Sequence, residues 1–216
     1  MVFNKALAPT TTQAKAMAFT YLTAGLLIFF GIHSIRVFAD PWRSRTMARV
    51  GEGWFKGIYA VLSLAGFMLM MNGYGQVRPL GVVIWNPPEA MRYIAALLTL
   101  VAFVLLAATY VPKNTIKTKV GHPMVLGTAL WALAHLLVNG GLANMVLFGG
   151  FLLWAGVLFV AARARDRRNQ TAYPLGTAGA TLLTVGIGVG AWAAFAFWLH
   201  KSWVGVAPFA AIGLPG

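Results

Sequence analysis

Chemistry has few places to reside in this chain. Its 216 residues include four histidines, four acids and no cysteine. The absence of thiols removes disulfides, thiolate metal sites and iron–sulfur clusters together. The acids, Asp40, Glu52, Glu89 and Asp166, all fall in expected loops or at expected helix ends. That leaves no paired carboxylates for hydrolysis and no buried acid chain for proton pumping. Two histidines stand apart. His33, in FFGIHSIR, and His135, in WALAHLLVNGG, lie inside apolar runs, where an ionisable side chain is costly to bury and is by default a functional candidate. Thr128, Trp131, His135 and Asn139 follow one another at helical spacing and share one face, as do His33 and Arg36. Neutral imidazoles on separate helices, without carboxylate or thiolate, fit zinc catalysis poorly and fit a haem iron held axially between helices. Arg36, one turn from His33, could then pair with a propionate. The same two histidines can equally be read as hydrogen-bonding residues that join neighbouring helices, and spacing alone does not choose between the readings.

These residues need elements to hold them, and composition says which. The chain is 59% hydrophobic and only 10% charged, with a mean hydropathy of +0.74. A soluble domain is nearer a quarter charged, so the composition implies a chain dissolved in lipid. Crossing the hydrocarbon takes about 20 apolar residues. The pattern predicts an all-α, polytopic membrane bundle of about six transmembrane helices, near 17–38, 54–73, 90–111, 123–139, 142–162 and 175–199. No linker or repeat divides it, so residues 1–216 read as one membrane domain. The polar start, residues 4–16, reads as a short tail, and VGVAPFAAIG, 204–213, as an interfacial segment too short to span. The stretch 74–89 reads as an external loop that can serve as a lid or a static cap. GIGVG, 186–190, lies inside an apolar helix with no preceding strand. It therefore reads as close helix packing and not as a dinucleotide fingerprint.

Charge supplies the orientation. The net charge is +13, yet the basic residues sit between apolar segments and form no stripe. They fit anionic head groups and membrane orientation, and no nucleic acid is expected as a partner. Twelve of the 17 basic residues fall in or beside the connections between helices one and two, three and four, and five and six. The positive-inside rule makes those connections cytoplasmic and puts both termini outside. His122, before Pro123, reads as the entry residue of helix four. His200, beside Lys201 and Trp203, reads as an interfacial residue at the outer end of helix six.

Several blocks, FFGIHSIR, GWFKGIYAVLSLAG, IWNPP, YVPKNTIK, HPMVLGTALWALAHLLVNG and FGGFLLWAGV, are similar to those of the NnrU family of bacterial inner-membrane proteins. The resemblance covers about residues 20–168 and fades over helix six and the tail, 175–216. The family is associated with nitrite and nitric oxide respiration and is related to the 15-cis-ζ-carotene isomerase, a membrane enzyme that uses haem b. The relationship implies a multi-pass protein of the bacterial inner membrane, haem b as cofactor, and a hydrophobic substrate reached from the lipid. It also implies His33 and His135 as iron ligands, with His122 as a further matching histidine. Thr128, Trp131 and Asn139 are expected to line the pocket. A haem-based sensor or electron-transfer partner, and a haem-free transport or assembly factor, are the competing expectations.

Overall fold

A peptide bond in an apolar solvent finds no partner there, so a chain of this composition must satisfy its backbone within helices or a closed barrel. The computed structural model describes residues 11–210, and those residues form helices and loops, without a strand among them. Residues 4–10 of the polar start and 211–213 of the interfacial segment lie outside the described range. The helices run in the order α1 (Thr11–Phe38), α2 (Asp40–Val50), α3 (Glu52–Val77), α4 (Met91–Tyr110), α5 (Thr115–Val120), α6 (Pro123–Val138), α7 (Leu142–Arg168), α8 (Ala178–Ala194) and α9 (His200–Val204). A π-helical stretch, Phe195–Leu199, joins α8 to α9.

Five helical segments are long and apolar enough to cross a membrane: α1, α3 with its terminal 3-10 turn, α4, α7, and α8 continued through α9. They make this a multi-pass membrane protein. Their outward side chains agree, since Leu27, Leu153 and Leu182 are each more than 70% exposed, an arrangement that suits contact with lipid. The fourth expected helix, α6, has 16 residues and measures about 24 Å at 1.5 Å per residue. That is shorter than a hydrocarbon core of about 30 Å.

Each expected apolar segment is helical, and the short helices α2, α5 and α9 were not foreseen. α2 opens with Asp40 and Pro41 and closes with Arg49, and none of its side chains is buried. Its charges complement the ends of the helix dipole, and Pro41 suits a first turn. α5 is short and held by Asn114, which is fully buried. The Asn114 Oδ1 accepts the Lys117 N–H at 2.7 Å, and its Nδ2 donates to the carbonyls of Ala108 at 2.9 Å and Val111 at 2.5 Å. One side chain thereby caps the start of α5 and the end of α4.

The chain divides into two compact units. The first comprises the residues up to Ile84 together with Gly141–Leu147. Its framework is α1 packed on α3. Lipid supplies no hydrophobic drive between helices, so close backbone approach through small residues takes over. A side chain at Gly25 would collide with the backbone of Met70, and one at Gly73 with the backbone of Leu22. Leu22 and Met70 are correspondingly buried. Tyr74 donates a hydrogen bond to the Asn144 Oδ1 at 2.5 Å, and Ala18, Val77 and Ala143 form a small buried cluster beside it.

The second unit comprises Trp85–Gly140 and the chain from Phe148 onward. Here α4 packs on both α6 and α8. A methyl group at Gly127 would stand 3.0 Å from the Ala102 carbonyl, and one at Gly188 would stand 2.5 Å from the Val104 Cα. Gly188 is the centre of GIGVG, and its role is the close packing expected of it. On α8, Thr184 and Gly188 are buried, while Thr177, which caps the start of the helix, is exposed. Thr181 bonds Thr115 at 3.1 Å, and the Trp192 Nε1 donates to Thr99 at 3.1 Å.

The α1–α3 contact yields a first expectation. Gly73→Leu must displace backbone, and overpacking of this kind costs about 1–3 kcal/mol. The thermal unfolding midpoint in detergent, followed by circular dichroism, should fall by about 5–10 °C. Gly75→Ala, in the same helix but with nothing within 4 Å of the added methyl, should leave the midpoint in place.

Candidate functional site

The α6 sequence forms its helix from helix-favouring Leu and Ala after Pro123, whose missing N–H costs nothing in the first turn. That helix carries His135 to an aromatic setting. Its ring lies 4.5 Å, centroid to centroid, from Phe148 with planes 26° apart, and 4.9 Å from Trp131. Trp131 in turn meets Phe148 and Phe151 edge-on. The His135 Nδ1 lies 2.8 Å from the Trp131 carbonyl. A carbonyl only accepts, so Nδ1 carries the proton and Nε2 is the nitrogen with the lone pair. Asn139 extends the same device by donating to the His135 carbonyl at 2.9 Å, and Thr128 donates to Met124 at 3.0 Å. The stripe of Thr128, His135 and Asn139 is therefore bonded along its own helix.

His33, in the first unit, is held alike. Its Nδ1 donates to the Phe29 carbonyl at 2.7 Å, its ring stacks on Phe29 at 4.1 Å, and Tyr59 meets it edge-on at 5.4 Å. His33 and Arg36 line one cavity of about 200 Å³, together with Arg43, Lys56, Phe55 and Tyr59. Arg43 pairs with Asp40 at 3.6 Å and Lys56 with Glu52 at 2.6 Å. Sequence reasoning identified His33 and Arg36 but not the two cations beside them, because both sit beyond the helix that carries the histidine.

His122 has a different environment. Its Nε2 lies 2.8 Å from the Asp166 Oδ2, and Tyr173 donates to the same oxygen at 2.7 Å. Arg163 approaches that carboxylate at 3.9 Å. The pairing was missed, although His122 and Asp166 both fall in connections assigned to the basic side. His200, read as an interfacial residue, instead lies with His135: the two ring centroids are 6.5 Å apart. The segment after it is folded back, with Phe209 buried against Trp192 and Phe197.

No three side chains of His, Cys, Asp or Glu gather as a metal-ion site among the described residues. Among the described residues, the rings of His135 and His200 lie near each other, each bonded through Nδ1 to a carbonyl. The NnrU protein family matches residues 21–208. The chain belongs to the NnrU family. The match extends beyond the 20–168 region that the motifs had marked and takes in α8, α9 and His200. No curated protein and no solved structure matches this NnrU chain.

The Asp166 cluster permits a titration. Burial, and then the bond donated to the Asp166 carboxylate, push the Tyr173 phenol up to about 12. Because the folded value exceeds the ordinary value of about 10, the stability this phenol contributes is complete below about pH 10 and is lost as pH rises through about 12. The phenolate absorbance that disappears in Tyr173→Phe should therefore have its midpoint near pH 12, and Asp166→Asn should move it towards 10.

Proposed function

We propose that this NnrU protein binds haem b within the membrane and acts as a redox or isomerisation catalyst on a hydrophobic, polyene-like substrate. The observation that carries the reading is the setting of His135. It lies on the short apolar helix α6, with Nδ1 bonded to a carbonyl, Nε2 as the lone-pair nitrogen, and aromatic rings around it. Iron-binding histidines are commonly oriented by such an outer hydrogen bond, which fixes the tautomer and strengthens the donor. Haem needs few donors from the protein, and a histidine such as His135 is a common one.

The family resemblance names His33 beside His135 as a ligand, and Arg36 has the charge to hold a propionate. Bound haem would supply a redox-active iron, the chemistry that the related isomerase applies to a double bond. The residues of the chain have simpler tasks. His135 presents a neutral nitrogen, while Trp131, Phe148 and Phe151 keep water from it. Asp166 holds His122 and Tyr173 together where α5 gives way to α6, which steadies the start of the helix that carries His135. Thr128 and Asn139 keep the α6 stripe bonded along that helix.

In the same reading the chain crosses the bacterial inner membrane six times, with the short α6 as the fourth crossing. Both termini face outward, as the excess of Lys and Arg on the other side favours. Protein purified in detergent from cells supplied with a haem precursor should show a Soret band at close to one haem per chain. His135→Ala should lower that ratio at least about tenfold, in line with the loss of an iron ligand. Turnover of a cis-polyene, followed by chromatography of its isomers, distinguishes the catalyst from a haem sensor. A folded protein that stays colourless after haem reconstitution would point to the transport or assembly role.

A further inference from the structure

α7 begins without a capping side chain, because the residue before it is Gly141. Its first helical bond runs from the Met145 N–H to the Gly141 carbonyl at 3.0 Å. The N–H groups of Leu142, Ala143 and Asn144 therefore need acceptors outside the helix. Leu142 finds the Val82 carbonyl at 2.8 Å, whereas Ala143 and Asn144 find none among the described residues. Both of those residues are nevertheless buried.

The Asn144 side chain repeats the pattern. The residue is only 9% exposed, and its Oδ1 accepts the Tyr74 hydroxyl. Its Nδ2 has no acceptor among the described residues, yet the packing does not seal it in. A methyl group at Gly141 would stand 3.1 Å from that nitrogen. The glycine that cannot cap the helix thus also leaves the amide open.

These donors border one cavity of about 230 Å³. Arg78, which follows α3, lines it too, and this guanidinium pairs with no carboxylate among the described residues. No Asp or Glu lines the cavity, and its walls include Phe19, Val77 and Val83. A guanidinium beside a helix N-terminus makes the local potential positive. A ligand without acceptors would leave the amide and the two N–H groups unpaired, whereas an oxyanion can accept from several of them together. α1, α3 and α7 are long enough to cross a membrane, so the end of α3 and the start of α7 belong near headgroup level.

We propose that this cavity binds an oxyanion, a phosphate or carboxylate group, between Arg78, the Asn144 Nδ2 and the first turn of α7. The apolar walls suit the phosphate of an anionic phospholipid, and inorganic phosphate presents the same chemistry. In the test, full-length protein delipidated in a neutral detergent is titrated with dioleoyl-phosphatidylglycerol in mixed micelles. Bound lipid is counted by native mass spectrometry, with dioleoylglycerol, which lacks the phosphate, as the control. The wild type should take up the phosphatidylglycerol and not the diacylglycerol. Asn144→Asp keeps the acceptor for Tyr74 but puts negative charge in place of the donor. Arg78 is exposed, so Arg78→Gln keeps the test open should Asn144→Asp not fold. Each variant should weaken the binding of one lipid at least about tenfold, as loss of a charge-assisted bond implies, and Arg78→Lys should restore most of it. Displacement of that lipid by inorganic phosphate would support a site for any phosphate, and its retention would support a lipid site. Lipid counts and affinities that are the same in the wild type, Asn144→Asp and Arg78→Gln would overturn the proposal. Equal uptake of the diacylglycerol would overturn it too.

Discussion

The bond that recurs through this molecule joins a polar side chain to the carbonyl one turn back in its own helix. Thr20 bonds Ala16, Thr23 bonds Phe19, His33 bonds Phe29, Thr128 bonds Met124, His135 bonds Trp131, Asn139 bonds His135, and Thr184 bonds Ala180. In water such bonds compete with solvent and contribute little. In a medium without donors or acceptors they are what makes a polar residue tolerable on a helix. With many polar groups bonded within their own helix, close packing between helices relies on small residues, as Gly25, Gly73, Gly127 and Gly188 demonstrate, beside a few bonds across helices such as Trp192 to Thr99. The site follows from the same economy, since a histidine bonded through Nδ1 offers only Nε2 to anything else.

Much of the framework was readable from hydropathy, because length and apolarity alone decide where a helix can lie in lipid. All six apolar segments form helices, and Pro123 opens α6 as its covalent geometry requires. The helix ends were less accessible. α7 was expected to stop near residue 162 and runs to Arg168, since RARDRR is polar yet still a good helix former with its basic residues at the favoured end. α2 was passed over for a related reason: its helix signals lie in capping and charge, not in hydrophobic periodicity.

Of the site, the residue types were visible and the pairings were not. His33 and His135 stood out because their surroundings in sequence are apolar. His200 did not, because its position depends on a π-helical turn and a reversal at Gly205, and neither has a periodic signature. The bond from His122 to Asp166 joins residues 44 positions apart. Topology put both on the basic side, but only the packed structure brings Tyr173 to the same carboxylate oxygen. Local chemistry is written in neighbours, whereas pairing depends on how far each helix has turned by the time it ends.

The Trp131 carbonyl has a consequence beyond the tautomer it sets. In an α-helix that oxygen already accepts the backbone N–H of residue 135, so the ring and the amide of His135 converge on one acceptor. The side chain is thereby confined to a single orientation before anything approaches it. Freezing a free side chain on binding typically costs about 0.5–1.5 kcal/mol. His135 has surrendered that rotational entropy during folding, and a ligand that reaches its Nε2 meets a donor already at rest.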